Sequence, residues 1–435
     1  MSYKTYQEYK NSNNIWAGDV PTHWELHKIK NLIFFQEGPG LRNWQFTDNG
    51  VRVICVTNIT SNGIDFSNYE KFISEDEYKQ IYSHFTVNQG DLLLSSSGNS
   101  WGKVAEYNSD ETVILNTSTI RINKNPTSDY ELEQPYIKWA LQSEYIREQL
   151  GLMMTGSCQP NFGPTHLAKI SILMPSIEEQ QQIANYLDKK TAKIDATIAK
   201  NEELIQLLEE KRVALINQVV TKGLNPDVPM KDSGVEWIGT IPKHWEIAFL
   251  KRFTKSVSAG KTKNIEEDGK YPLHGSTGII GTTNSLDYNG TFILVARVGA
   301  HAGKTHIAKG KMGITDNTLI VDYTSQINYK FLFYVLTIYD FKTLTIGSGQ
   351  PLITGNDVKN IKLAIPPLNE QNNIVYFLDS KISKIDSTLS KINKNITLLE
   401  EYKTSLIHHV VTGKIDVRSE EIWVVILQKK DSKTI

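Results

Sequence analysis

Residues 183–220 read IANYLDKKTAKIDATIAKNEELIQLLEEKRVALINQVV. Steps of three and four along this stretch select Ala184, Leu187, Thr191, Ile194, Ile198, Asn201, Ile205, Leu208, Arg212, Leu215 and Val219. Adding 191 to each number selects Val375, Leu378, Ile382, Ile385, Leu389, Ile392, Ile396, Leu399, Lys403, Leu406 and Val410. Pro175 and the Pro366-Pro367 pair stand just before these patterns, and Gly223 and Gly413 stand after them, which is the punctuation of a long helix. A stripe of this length, held twice, predicts a coiled coil in which each helix is the other's partner. Its seam is expected at Leu187, Ile194, Ile198, Ile205 and Leu208 on one helix. On the other it is expected at Leu378, Ile385, Leu389, Ile396 and Leu399. The seam cations Arg212 and Lys403 occupy the same place in both copies, and Asn201 interrupts the first; such insertions fix register at a cost in stability.

The repeat extends outward from the helices. Trp16-Ala-Gly-Asp-Val-Pro21-Thr-His23-Trp24-Glu25 returns as Trp237-Ile-Gly-Thr-Ile-Pro242-Lys-His244-Trp245-Glu246, an offset of 221. Gly98 to Lys103 matches Gly299 to Lys304 at an offset of 201, and Gly156-Ser-Cys-Gln159-Pro160 matches Gly347-Ser-Gly-Gln350-Pro351 at 191. The second copy is therefore shorter by 20 residues before the glycine–lysine segment and by 10 more after it, as expected of one scaffold with divergent loops. Short apolar runs at 51–56, 91–94, 112–115, 291–296 and 318–321 read as strands, with helix expected around 134–150 and 328–341. The expected fold is α+β: two tandem-repeat, β-rich heads separated by two long helices that form an antiparallel coiled coil, related by an approximate two-fold axis. A helix of about 45 residues is roughly 65 Å long. Two heads on such a rod suit a ligand with two sites at fixed separation, such as half-sites about 34 Å apart on duplex DNA.

Composition narrows the alternatives. The 435 residues are 40% hydrophobic and 22% charged, and 47 Lys and Arg against 48 Asp and Glu leave a net charge of −1. That excludes a polybasic mode of nucleic-acid binding but not a local basic groove. Two cysteines, Cys55 and Cys158, allow no disulfide framework or cysteine-rich zinc site. No signal-peptide core opens the chain and no apolar run spans a bilayer, so a cytoplasmic protein with no membrane association is expected.

These motifs, in this order and twice over, resemble the specificity subunit of type I restriction–modification systems. The resemblance rests on the W-x-G-x-[VI]-P-x-H-W-E opening of each half, the Gly90-Asp-Leu-Leu-Leu-Ser and Gly290-Thr-Phe-Ile-Leu-Val segments and the glycine–lysine loops. The G-S-x-Q-P element, the P-x-x-x-E-Q helix entrances (Pro175 with Glu179-Gln180, Pro366 with Glu370-Gln371) and the V-V-T ends at Val219 and Val410 complete it, over about residues 10–418. It implies target-recognition domains at 1–176 and 223–369 (the latter with its linker), spacer helices at 177–222 and 370–413, and a tail at 414–435. It further implies that each domain reads half of a split, asymmetric site in double-stranded DNA. The spacers would hold two methyltransferase subunits, with restriction subunits joining, and the chain itself would catalyse nothing and need no cofactor or metal.

Candidate DNA-contacting residues in the first head are Ser95, Ser97, Asn99, Trp101, Lys103 and Gln159. In the second they are Lys261, Lys263, Tyr271, His274, Ser276, Arg297, His301, Lys304 and Gln350. Arg297 leads, because bidentate Arg–guanine contact is the commonest specific one in the major groove. Trp101 has a core role as its alternative, His274 a turn-capping role, and Gln159 and Gln350 a bracing role between head and helix. Residues 1–176 carry a net charge of −5 and residues 225–369 a net charge of +4, which fits a subunit whose partners supply much of the phosphate neutralisation. Other chemistries fare worse. Gly299-Ala-His-Ala-Gly303-Lys304-Thr305 resembles a phosphate-binding loop, but Val298 stands where its leading glycine belongs. Glu75-Asp76-Glu77 is contiguous and reads as a solvated helix start, and the adjacent His408-His409 pair does not share a helix face. A two-headed scaffold without DNA specificity and a nucleotide-dependent enzyme built around Lys304 are the remaining alternatives.

Overall fold

The computed structural model describes residues 3–60, 63–154, 161–344 and 352–418. They form two compact units, one from residues up to Ala199 together with those from Asn395 onward, the other from Lys200 to Lys394. The predicted apolar runs form strands. In the first unit Ile33–Glu37, Thr119–Lys124, Leu92–Ser95 and Val104–Glu106 make an antiparallel sheet. A second sheet holds Phe72–Ile73, Val51–Ile54, Val113–Leu115 and Thr86–Val87. In the second unit one six-stranded sheet has the order Thr254–Ala259, Thr318–Tyr323, Tyr288–Ala296, Thr305–Ile314, Tyr271–Gly275 and Gly278–Thr283. The stretch shorter by 20 residues thus builds most of a second sheet in one unit and a hairpin on the main sheet in the other. Helix expected over 134–150 is broken: Gln134–Gln142 and Glu144–Gly151 meet at Ser143. That residue is extended, and its hydroxyl donates back to the Ala140 carbonyl at 2.6 Å.

The first long helix is Ile177–Lys222 (46 residues) and the second Leu368–Val411 (44 residues). The second begins two residues earlier than expected, since the Pro367 carbonyl already accepts from Glu370 and Gln371. It stops earlier too, because Gly413 turns into the left-handed region at φ +71°. That glycine is also a contact point: a Cβ there would lie 2.3 Å from Pro21 Cδ and 3.4 Å from the Trp24 ring. Gly223, at φ +75°, packs likewise against Trp245. Each unit therefore combines its own head, the start of its own helix and the end of the other.

The predicted stripe is the least exposed line along both helices, and its two cations are paired. Lys403 donates to Asp195 at 2.6 Å, and Arg212 pairs with Asp386. The offset of 191 converts one pair into the other, so the helix segments are antiparallel in the same register in both units.

Equivalent ties join each head to its helix. His23 bonds Glu179 at 2.9 Å, and His244 bonds Glu370 at 2.9 Å, so the H-W-E and E-Q motifs meet in space. The neighbouring glutamines cap their own helix entrances: Gln180 donates to the Pro175 carbonyl at 3.0 Å and Gln371 to that of Pro366 at 2.9 Å. Asp188 accepts the Trp139 indole N–H at 2.9 Å, and its twin Asp379 accepts the Tyr334 hydroxyl at 2.6 Å. Trp24 and Trp245 are wholly enclosed at the centre of these contacts.

Half-exposed ion pairs contribute modestly. Asp195→Lys is expected to lower the unfolding free energy by about 1 kcal/mol, read from denaturant midpoints, and Asp195→Lys with Lys403→Asp to recover most of it.

Candidate nucleic-acid interface

One end of the main sheet in each head gathers the loops expected to carry function. In the first head the pairs Glu37↔Ile120, Thr119↔Ser95 and Leu94↔Val104 bring three connections to a common edge. Across it runs the loop 96–103, closed by Ser95 N–H to the Lys103 carbonyl (2.9 Å), Gly102 N–H to the Ser95 carbonyl (2.8 Å) and Lys103 N–H to the Ser100 carbonyl (3.1 Å). In the second head Ala296, Gly303, Lys304 and His301 make the same three bonds at 2.9, 2.8 and 2.9 Å. The residue following each G-S-x-Q-P element lies alongside: Asn161 bridges Ser97, and Leu352 bridges Val298. Gln159 and Gln350 themselves fall outside the described residues.

The backbone is thus held constant while the side chains on it change. In the first head, Ser95 is removed from the surface, its hydroxyl bonded to that of Ser100 at 3.0 Å, and Ser97 is almost enclosed. Asn99 and Lys103 are exposed. Trp101 is half-buried against the core, with the Arg147 guanidinium 4.2 Å from its ring centre.

In the second head the turn 315–317 is the meeting point. Gly260 approaches it so closely that a Cβ would lie 2.4 Å from the Thr315 carbonyl oxygen. His274 accepts from Thr315 N–H at 3.0 Å, and Arg297 donates to the Asp316 carbonyl at 3.4 Å. Lys261 and Lys263 are exposed on either side of Thr262, which is buried and tied to Asp287 (2.5 Å) and Ile314 (3.0 Å). His301 and Lys304 are exposed on the neighbouring loop, and Ser276 sits half-buried in the turn after His274. The 315–317 turn therefore meets both Arg297 and Gly260, the residue before Lys261, while His301 and Lys304 belong to the loop that closes on Ala296. Tyr271 lies at the start of the strand 271–275, paired with Thr283.

His306 was not anticipated from the sequence. Its ring stacks on that of His274 with centroids 5.7 Å apart, and His274 Nδ1 and His306 Nε2 are both buried without partners. Burial, then His274 and Lys304, holds the His306 pKa down to about 4; burial also lowers that of His274. Neither residue is close to the other in sequence, so only the curled sheet reveals the pair. Lys304 precedes a strand, Thr305–Ile314, where a phosphate-binding loop requires a helix, and Gly303 is needed because a Cβ there would strike Phe341 at 2.6 Å. Among the described residues no cluster of three or more His, Cys, Asp or Glu could hold a metal ion, and no helix is long and apolar enough to cross a membrane.

The family model for the type I restriction modification DNA specificity domain matches residues 21–206 and 242–398, starting at the same proline of each copy. The chain belongs to that family. It is similar along most of its length to the putative type I restriction enzyme MjaX specificity subunit of Methanocaldococcus jannaschii, with 26% identity over 95% of this chain and 99% of that protein. It is also similar to the StySPI specificity subunit of Salmonella potsdam, with 23% identity over 64% and 65%. A solved chain from a study of assembly and conformational transition in a type I restriction–modification system shares the fold. Its TM-score is 0.63 at 16% identity, over 91% of this chain and 99% of that one. As a specificity subunit, the protein carries two DNA-recognising domains.

The histidine pair makes a pH signature for the second domain. The unfolded chain accepts a proton near pH 6.5 that folded His306 resists until about pH 4, so stability should fall as pH drops through that window. His306→Gln is expected to flatten the fall in chemical denaturation.

Proposed function

We propose that each sheet edge reads one half of a two-part, asymmetric DNA site. The observation that carries this reading is the pair of loops 96–103 and 297–304, which share their backbone hydrogen bonds and their closing lysine but differ in most of their other side chains. Reading two different half-sites demands a fixed platform with exchangeable contacts. Lys103 and Lys304 are the same residue at the same exposed place, and they serve the part common to all DNA, the phosphate backbone. Arg297 stands where the first head has Ser96, and it reads a base. The long helices set the spacing between the half-sites, and the chain contributes no catalytic group.

Methyltransferase subunits, two per chain, dock along the long helices, and restriction subunits join through them. Exposed features repeated at the offset of 191 support this. Leu207 and Leu398 are about half-exposed, although the seam needs neither. Glu209 and Glu210 line a groove with Val213, Trp237 and Ile338 in one unit, and Glu400 and Glu401 line its counterpart with Thr404 and His408 in the other. Glu209→Lys with Glu210→Lys should reduce the methyltransferase retained per chain on co-purification; undiminished retention would remove the grooves from the docking surface.

The test of DNA reading is base-modification sequencing with the assembled complex. Arg297→Ala is expected to relax one half-site only, by about 1–3 kcal/mol at one position. Lys304→Ala should weaken binding evenly across sequences and lower the salt slope by about one. Even loss over both half-sites with Arg297→Ala would make that residue a phosphate contact or a structural one.

A further inference from the structure

The first head carries a surface element that its loop 96–103 does not explain. After Glu37 the chain leaves the same sheet edge and runs Gly38-Pro-Gly-Leu41-Arg42-Asn43-Trp44-Gln45-Phe46. Gly38 is pinned to that edge: its N–H donates to the Thr119 carbonyl at 3.0 Å, and a Cβ would lie 2.2 Å from the Asn116 carbonyl oxygen. Asn43–Gln45 then form one tight helical turn.

Trp44 is 81% exposed, whereas Gln45 beside it is 8% exposed. The contrast is imposed by anchors. Gln45 Oε1 accepts the Arg42 N–H at 2.9 Å, and Gln45 Nε2 donates to Glu77 Oε1 at 2.5 Å and to the Tyr82 hydroxyl at 2.9 Å. Leu41 and Phe46 pack inward on the second sheet's core on either side of the turn. With its neighbours fixed to the interior, the indole can only point outward, and Arg42 and Asn43 are exposed next to it. The cost of ordering an aromatic contact has been met in the fold itself, as in preorganised recognition surfaces. The second head uses the equivalent exit, after Gly260, in the same way: buried Thr262 is the anchor, and Lys261 and Lys263 are presented outward.

We infer that Arg42, Asn43 and Trp44 form a DNA-contacting element of the first head, with the Trp44 ring against bases of its half-site and Arg42 as the accompanying cation. The inference rests on the DNA-reading function proposed above and adds the element by which a head of net negative charge engages DNA. An indole supplies apolar area for a thymine methyl or a base face, contacts that discriminate sequence without charge. A tryptophan exposed to this degree could instead meet a protein partner, and the experiment separates the two.

The native chain and its Trp44→Ala, Trp44→Phe and Arg297→Ala variants are each assembled with the methyltransferase subunits. Each complex then methylates a randomised duplex library, which is sequenced for modified bases. Trp44→Ala should reduce discrimination in one half of the motif about tenfold or more and leave the other half unchanged. Trp44→Phe should keep most of that discrimination. Arg297→Ala should relax the opposite half, and all complexes should retain their methyltransferase. A Trp44→Ala motif identical to the native one would overturn the inference while leaving DNA reading intact. Reduced retention of methyltransferase, with both half-sites still discriminated by the complex that remains, would overturn it in favour of a protein contact. A native complex with no two-part motif would overturn the DNA-reading function, and this inference with it.

Discussion

The fold depends on the antiparallel match of two helices that lie far apart in sequence. A seam of Leu and Ile alone would tolerate a slip by one heptad, because apolar side chains pack in several registers. Asp195 with Lys403, and Asp386 with Arg212, remove that freedom, since a slip would leave partly buried charges without partners. The register then determines which helix end reaches which head. Gly413 must arrive at Pro21 and Trp24, and Gly223 at Trp245, with almost no room for a side chain. The His23–Glu179 and His244–Glu370 contacts fix the other end of each helix against the same tryptophans. Motifs that look separate along the sequence are thus faces of one joint, built twice.

The joint leaves the opposite part of each head free to vary. Apart from anchors such as Trp101 on the first core and Gly303 against Phe341, the loops at the sheet edge present exposed side chains that can be exchanged without disturbing the joint. Lys103 and Lys304 persist while Ser96 gives way to Arg297 and Asn99 to Ala300. A change of 20 residues in the preceding segment is absorbed by building a second sheet in one head and a hairpin in the other. Different anchors then present different chemistry from equivalent exits.

Much of this was legible before any coordinates. The seam, the Pro and Gly punctuation and the apolar runs are local signals, and they gave the helices and the principal strands. Asp195 and Asp386 were not legible as seam partners, because an aspartate beside the stripe resembles any solvated helix residue until the register is known. Ser95 is polar and precedes the loop, but it ends a wholly buried strand and spends its hydroxyl on Ser100. Helix was expected around 134–150 and is found there, but its division at Ser143 carries no periodic signal. His306 gives no signal in the sequence, because His274 reaches it only through the tertiary pairing of strands 271–275 and 305–314. Trp44 gives none either, because its outward aim is set by Gln45, Leu41 and Phe46, whose partners Glu77 and Tyr82 lie more than thirty residues away.

The placement of residues 395–418 also orders events in time. Leu406, Ile407, Val410, Val411, Ile415 and Val417 are part of the first head's core, and the Asp416 N–H donates to the Lys4 carbonyl at 2.8 Å. All the segments of the second unit are contiguous, whereas the first lacks a wall of its core until the last helix has left the ribosome. The head made first is therefore the head finished last. Until then Trp24 and its neighbours present an apolar face, so a chain cut short before residue 395 holds one completed reader and one open one.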